Sequence, residues 1–176
     1  MNAAVTNREN FEWLGNQIRA KTACYEVSIR ATGERPPNWE EKAGAFAKME
    51  DDLQKDLALL LAFGDYTDNT VQFKNVQAFL FKAIYAVASQ EKTRKPGLDK
   101  LCNQIARMEL YFYFHPHLEA KFTGEGRLWF AGVEIAYKTY QNNWKHFGDA
   151  AKMMLEEAEI AASDIITKYR KDLRKQ

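Results

Sequence analysis

The sequence is poor in the residue types that most often carry chemistry. Its 176 residues include two cysteines, three histidines and four prolines, and 25 Lys+Arg against 24 Asp+Glu leave a formal charge of +1. With neither sign in excess, no global field recruits nucleic acid or an anionic membrane. Cys24 and Cys102 stand far apart inside helical patterns. They match neither a disulfide framework nor a zinc spacing, and read as reduced, packed thiols. No apolar run reaches the ~18–20 residues of a membrane span. The longest covers residues 57–63, and the stretch 78–88 is broken by Lys82. The first twenty residues carry Arg8, Glu9, Glu12 and Arg19 and lack the hydrophobic core of a secretion signal. The expectation is a cytoplasmic protein with no membrane partner.

Catalytic and cofactor motifs are scarce as well. Gly124-Glu125-Gly126 has neither the lysine nor the third glycine of a phosphate loop and follows no parallel strand. The paired acids Glu40-Glu41, Glu50-Asp51-Asp52 and Glu156-Glu157 sit at adjacent helical positions, which point to different sides and cannot share a proton or a substrate. They read as solvated faces. His115-Pro116-His117, with Glu119 nearby, offers two imidazoles and one carboxylate, but a stable metal site wants three or four ligands. Neither Glu-x-x-His nor His-Glu-x-x-His occurs, which excludes the di-iron bundle and metalloprotease patterns. Arg107 and His115 share a helix face, as the Arg and His of small HEPN-type ribonucleases do. Seven residues separate them where that family has four to six, so the motif is not met. No catalytic residue, metal ligand or cofactor is assigned.

What is present is helical rhythm. Apolar residues recur at steps of three and four almost from end to end, the pattern of helices that bury one stripe. Thr6 and Glu9 form a capping box for a first helix carrying Phe11, Leu14, Ile18, Tyr25 and Ile29 and closing at Gly33. Arg35-Pro36-Pro37 is a stiff break. A second helix, capped by Asn38 with Glu41, runs through Trp39, Phe46, Leu53, Leu57 and Leu60 to Gly64. Asn69 with Gln72 caps a third, whose stripe is Phe73, Val76, Leu80, Ala83 and Val87. Phe79, Phe81, Ile84 and Tyr85 widen its apolar surface and mark it as the central helix. Residues 92–97 form a basic loop. The fourth helix carries Leu98, Leu101, Ile105, Met108 and Phe112 and meets Pro116.

Thr123-Gly124-Glu125-Gly126 reads as the most flexible loop. A fifth helix runs from Leu128 to Phe147, with Gly148 as its stop and Asp149 as the cap of a sixth, which carries Leu155, Ala162, Ile165, Tyr169 and Leu173. Two residues barely make a corner, so segments five and six also read as one kinked helix. The strand-like composition of residues 109–115 leaves a short β-hairpin near 109–130 as the alternative to helix there. The expected fold is all-α: one compact domain over residues 1–176, built as a bundle of five to six antiparallel amphipathic helices.

Charge and aromatic content suggest where such a fold meets other molecules. Between residues 34 and 68 nine acids face four bases, a net of −5, whereas between 168 and 176 five bases face one acid, a net of +4. Lys168, Arg170, Lys171, Arg174 and Lys175, with Lys92, Arg94 and Lys95, are the candidate basic contacts, and they also complement a helix C-terminus. Phe, Tyr and Trp total 23, and Tyr111-Phe112-Tyr113-Phe114 sets four rings around a single helix. Phe112 lies on the core stripe, so Tyr111, Tyr113 and Phe114 point elsewhere and are candidate interface residues. The preferred reading is a non-catalytic module acting through protein–protein contacts: an adaptor, an inhibitor or immunity-type factor, with an unknown partner, itself, or both. The alternatives are a nucleic-acid-associated helical protein using the basic C-terminal segment, and a helical nuclease or metal-dependent enzyme around His115 and His117.

Overall fold

The computed structural model describes residues 3–18, 39–91 and 97–175. The described chain is mostly helical and contains no strand. Its helices are α1 (Ala3–Ile18), α2 (Trp39–Ala47), α3 (Asp52–Phe63), α4 (Val71–Glu91), α5 (Leu98–Phe114), α6 (Pro116–Glu119), α7 (Gly124–Phe130), α8 (Tyr137–Asn143) and α9 (Lys145–Leu173). None of them is long and apolar enough to cross a membrane. The chain divides into two compact units: Met1–Asp65 with Ala158–Gln176, and Tyr66–Glu157.

In the first unit, α1 and α3 are the main packing pair. Phe11, Leu14, Ala45, Met49, Ala58, Ala62, Ala162 and Ile166 form its core. Gly15 lets the pair approach closely, since a Cβ there would fall on the Ala62 carbonyl. The expected second helix is in fact two. The Asp51 carboxylate accepts the Leu53 N–H at 2.9 Å and caps α3, so the acid run read as a solvated helical face contains a helix start. Gly64 closes α3 in the left-handed conformation, φ 68°, donating its N–H to Leu60 O at 2.8 Å. Helix α1 begins at Ala3, ahead of the expected Thr6. Tyr25, Ile29, Gly33, the Pro36-Pro37 break and the Asn38 cap involve residues 19–38, outside the described residues.

The second unit is organised on α5. Its buried residues include Leu101, Cys102, Ile105, Ala106, Met108, Glu109, Leu110 and Phe112, which together cover much of its circumference. The expectation that the third helix is central is therefore corrected: α4 buries a single stripe, Phe73, Val76, Leu80, Ile84 and Ala88, against α5. Val87, placed on that stripe by the sequence, is exposed, as are Phe79 and Tyr85, because the stripe advances by fours beyond Leu80. The cap of α4 is Thr70, whose Oγ1 accepts the Phe73 N–H at 3.2 Å, rather than Asn69.

The hairpin near 109–130 is not found. Those residues hold the end of α5, all of α6 and all of α7. The expected flexible loop is the first turn of α7, where Thr123 Oγ1 accepts the Gly126 N–H at 3.1 Å. The expected fifth helix is interrupted between α7 and α8, where Gly132 adopts φ 70°, and again at Trp144, which is buried. Gly148 lies inside α9 and breaks nothing.

Leu57 and Leu80 are both fully buried, as their periodicity predicts. Leu57→Ala and Leu80→Ala should each cost about 2–5 kcal/mol in denaturant unfolding. Gly15→Ala should cost about 1–3 kcal/mol by pushing α1 off α3. A near-neutral outcome at all three positions would mean that the packing faces are assigned wrongly.

Candidate functional site

The apolar surface of α5 contains one buried acid. Glu109 lies between Met108 and Leu110 and is 8% exposed. A carboxylate taken out of water needs hydrogen-bond donors, and two other helices supply them. From α8, the Tyr140 hydroxyl donates to Glu109 Oε1 at 3.0 Å. From α7, Arg127 Nη2 donates to Oε2 at 3.3 Å. Arg127 is shared, because its Nη1 lies 2.7 Å from Glu119 Oε1. Its guanidinium also sits 4.9 Å from the centre of the Phe112 ring, and its Nε is buried without a hydrogen-bond partner.

Helix α9 closes the cluster at Gly148. A Cβ there would stand 2.7 Å from Glu109 Oε1 and 2.8 Å from Tyr140 Oη, so only glycine lets α9 pass. A cavity of about 210 Å³ adjoins the carboxylate, lined by Phe112, Tyr113, Pro116, Glu119, Lys152 and Glu156.

Two carboxylates share one guanidinium, and that sets the electrostatics. Burial raises the Glu109 carboxyl above its ordinary value of 4.5; Arg127 and the Tyr140 hydrogen bond pull it back, while Glu119 and Asp149 add to the rise. Burial, followed by the charge of Glu109, raises the Tyr140 phenol too. The arrangement can hold a proton at Glu109 under milder acid than an exposed carboxylate requires.

The same cluster fixes α7, whose outer surface is apolar. Leu128 points inward and is buried. Trp129 is 83% exposed and Phe130 45%. Phe130 packs on Tyr111 at 5.0 Å and on Phe122 at 5.3 Å between ring centres. The far end of α7 is tied down by the Val133 N–H, which reaches Leu128 O at 2.8 Å. Arg127 and Leu128 therefore hold a short helix that turns a tryptophan outward.

The residues singled out by sequence have different fates. Tyr111 and Tyr113 are half-buried, Tyr111 against Phe130 and Tyr113 beside the cavity. Phe114 is 9% exposed and stacks on Tyr66 at 4.3 Å, inside its own unit. Lys92, Arg94 and Lys95 lie outside the described residues. Lys168, Lys171, Arg174 and Lys175 are exposed. Arg170 is instead engaged within the first unit. Its Nη1 donates to Asn10 Oδ1 at 2.7 Å, its guanidinium lies 5.2 Å from the Trp13 ring centre, and Asn10 Nδ2 in turn donates to Ser163 Oγ and Thr167 Oγ1.

His115 sits at the break between α5 and α6, half-buried, with Tyr111 at 4.6 Å and the His117 ring at 5.9 Å. Burial, then His117, holds its imidazole below the ordinary value. Arg107 pairs with Asp68. Among the described residues no group of three or more His, Cys, Asp or Glu side chains is placed to hold a metal ion.

Sequence reasoning missed the Glu109 cluster and the exposed Trp129. Its partners lie 18 and 31 residues from Glu109, beyond any helical spacing. The one available signal was Gly148, a glycine inside an otherwise unbroken periodic run. No protein-family model, no curated protein and no solved structure matches this chain.

Folded Glu109 holds its proton more tightly than the same group in the unfolded chain. Its contribution to stability is therefore full below the ordinary carboxylate range and is lost as pH rises through the folded value. Glu109→Gln should keep the Arg127 bond on its amide oxygen, turn the Tyr140 bond round so that the amide N–H donates to the hydroxyl, and gain thermal stability relative to the parent as pH rises from about 4.5 to about 7. Glu109→Ala should cost about 1–3 kcal/mol in mild acid, because Tyr140 loses its buried partner, and less as pH rises. If the glutamine variant loses stability relative to the parent over that range, the sign of the argument is wrong.

Proposed function

We propose that this chain is a non-catalytic cytoplasmic module that acts through protein–protein contacts, as an adaptor or an inhibitor or immunity-type factor, and that α7 provides the anchor of the contact. The observation that carries the reading is Trp129, 83% exposed on a helix held from beneath by Arg127 and Leu128. An exposed tryptophan adds little to its own fold, yet tryptophan, tyrosine and arginine dominate the binding energy of protein interfaces. Phe130 and the half-buried Tyr111 extend the patch, so a partner would cover contiguous aromatic surface rather than one isolated ring. The partner is a second protein or a second copy of this chain.

Trp129→Ala and Phe130→Ala test this directly. Self-association by light scattering and partner capture from the native host should each be compared with the parent. Trp129→Ala should weaken the contact by about 2 kcal/mol or more, while thermal unfolding changes by less than about 0.5 kcal/mol. Association that survives both substitutions unchanged would move the interface away from α7.

A further inference from the structure

Helix α4 is poor in charge for a helix that buries only one stripe. Of its 21 residues, Lys74, Lys82 and Glu91 alone are charged. Four of its large apolar side chains stay exposed: Val71, Phe79, Tyr85 and Val87. Exposed apolar surface of this kind marks a contact, and the helical repeat shows which flank carries it. Gln72, Phe79 and Ala86 recur every seventh residue, and Ala83 and Gln90 stand four residues beyond Phe79 and Ala86. The five form one strip along about 27 Å of helix. No charge falls on that strip. Lys74 is on the other flank, with Ala78 and Phe81 at the seam with α5. Lys82 borders the strip and is exposed, and Glu91 turns to His146.

We infer that α4 pairs with α4 of a second copy of this chain, antiparallel, about a two-fold axis level with Phe81. The strip is complementary to itself in that direction and register. Positions equidistant from residue 81 come opposite each other, so Phe79 meets Ala83 of the second copy and Gln72 meets Gln90 of the second copy. The axis repeats each contact, setting a ring over a methyl group twice at the centre and amide against amide at both ends. Ala83 leaves the room a facing ring needs at the roughly 8–10 Å separation of packed helices. The glutamine amides both donate and accept, so each end of the pair is satisfied by its own kind. A parallel pairing would instead stack Phe79 on Phe79 and Ala83 on Ala83, crowding one layer and emptying the next. A partner of another sequence would need no such internal match. The balance of the strip about residue 81 is what selects a second copy. One helix from each copy makes a contact at the small end of specific interfaces, below about 1,200 Å². The dimer should therefore dissociate on the order of micromolar concentration.

Sedimentation velocity of the full chain from about 5 to about 500 µM should show a monomer–dimer equilibrium. Phe79→Glu, at a 38% exposed position, should weaken the dimer about tenfold or more while the circular-dichroism spectrum stays helical. Cysteines read direction and register. Gln72→Cys mixed with Gln90→Cys should form a disulfide between positions 72 and 90 under mild oxidation, located by peptide mapping. Gln72→Cys alone should not cross-link to its own copy, which lies about 27 Å away along the pair.

A parent that stays monomeric over that range overturns the pairing, as does a dimer indifferent to Phe79→Glu. A disulfide from 72 to 72, with none from 72 to 90, overturns it too. If Phe79→Glu does not fold, the cysteine mixture decides alone. The α7 patch does not enter this contact, so Trp129→Ala should leave the dimer intact and lower only the capture of a partner of another sequence. A dimer lost in Trp129→Ala and kept in Phe79→Glu overturns the α4 pairing and leaves the α7 reading standing. A dimer lost in Phe79→Glu, with capture unchanged in Trp129→Ala, supports the α4 pairing and counts against α7 alone.

Discussion

Glu109 is a charge-bearing group on a helix surface that is otherwise apolar, and the second unit is arranged to make that tolerable. Its two oxygens draw donors from α7 and α8, helices with no sequence-local reason to lie on α5. The same carboxylate dictates the residue at 148, since any side chain there would meet Oε1 and the Tyr140 hydroxyl. A buried polar group without partners costs a few kcal/mol, so each of these contacts is enforced by the others. Removing one would leave donors and acceptor stranded together. The short helices around α5 thus owe their placement to one buried acid as much as to apolar burial.

The first unit solves a related problem with neutral groups. Asn10 is buried on α1, and its amide and carbonyl are met by Ser163, Thr167 and Arg170, all on α9. The charged member of this network is the half-buried Arg170, whose guanidinium rests against Trp13. The contrast matters for function. A network of hydroxyls and amides holds its shape across the physiological pH range, whereas a carboxylate shared with a second carboxylate responds to protons.

Much of the helical content is legible from periodicity alone. The stripe through Leu101, Ile105, Met108 and Phe112 defines α5, and the left-handed Gly64 ends α3 where a glycine after an apolar run should end a helix. The differences share a physical cause: local spacing does not show which glycines serve close contacts and which acids serve as caps. Gly148 permits close approach inside a 29-residue helix, and Gly124 opens α7 with the Tyr137 ring filling the space a side chain would need. Asp51, read as part of a solvated acid run, caps a helix that periodicity had merged with its predecessor. The break before α9 falls at Trp144, a buried aromatic that carries no local signal for stopping a helix. Local pattern marks where helices can form; tertiary contact decides which small or polar residues interrupt them.

The same distinction explains why Tyr111-Phe112-Tyr113-Phe114 was a partial guide to the surface. Four successive rings must spread around a helix, and the rings do so, but α5 is surrounded closely enough to absorb Phe112 and Phe114 and half of each tyrosine. The exposed aromatic surface moves one layer outward, to Phe130, which rests on that packed cluster, and to Trp129 beside it in the chain. A tryptophan carried by a free loop would lose conformational entropy on contact and surrender part of its binding energy. On α7 much of that ordering is already complete, because Arg127 and Leu128, the two residues immediately before Trp129, are anchored and Thr123 caps the helix start. How firmly Arg127 is held therefore sets how rigidly this surface is presented.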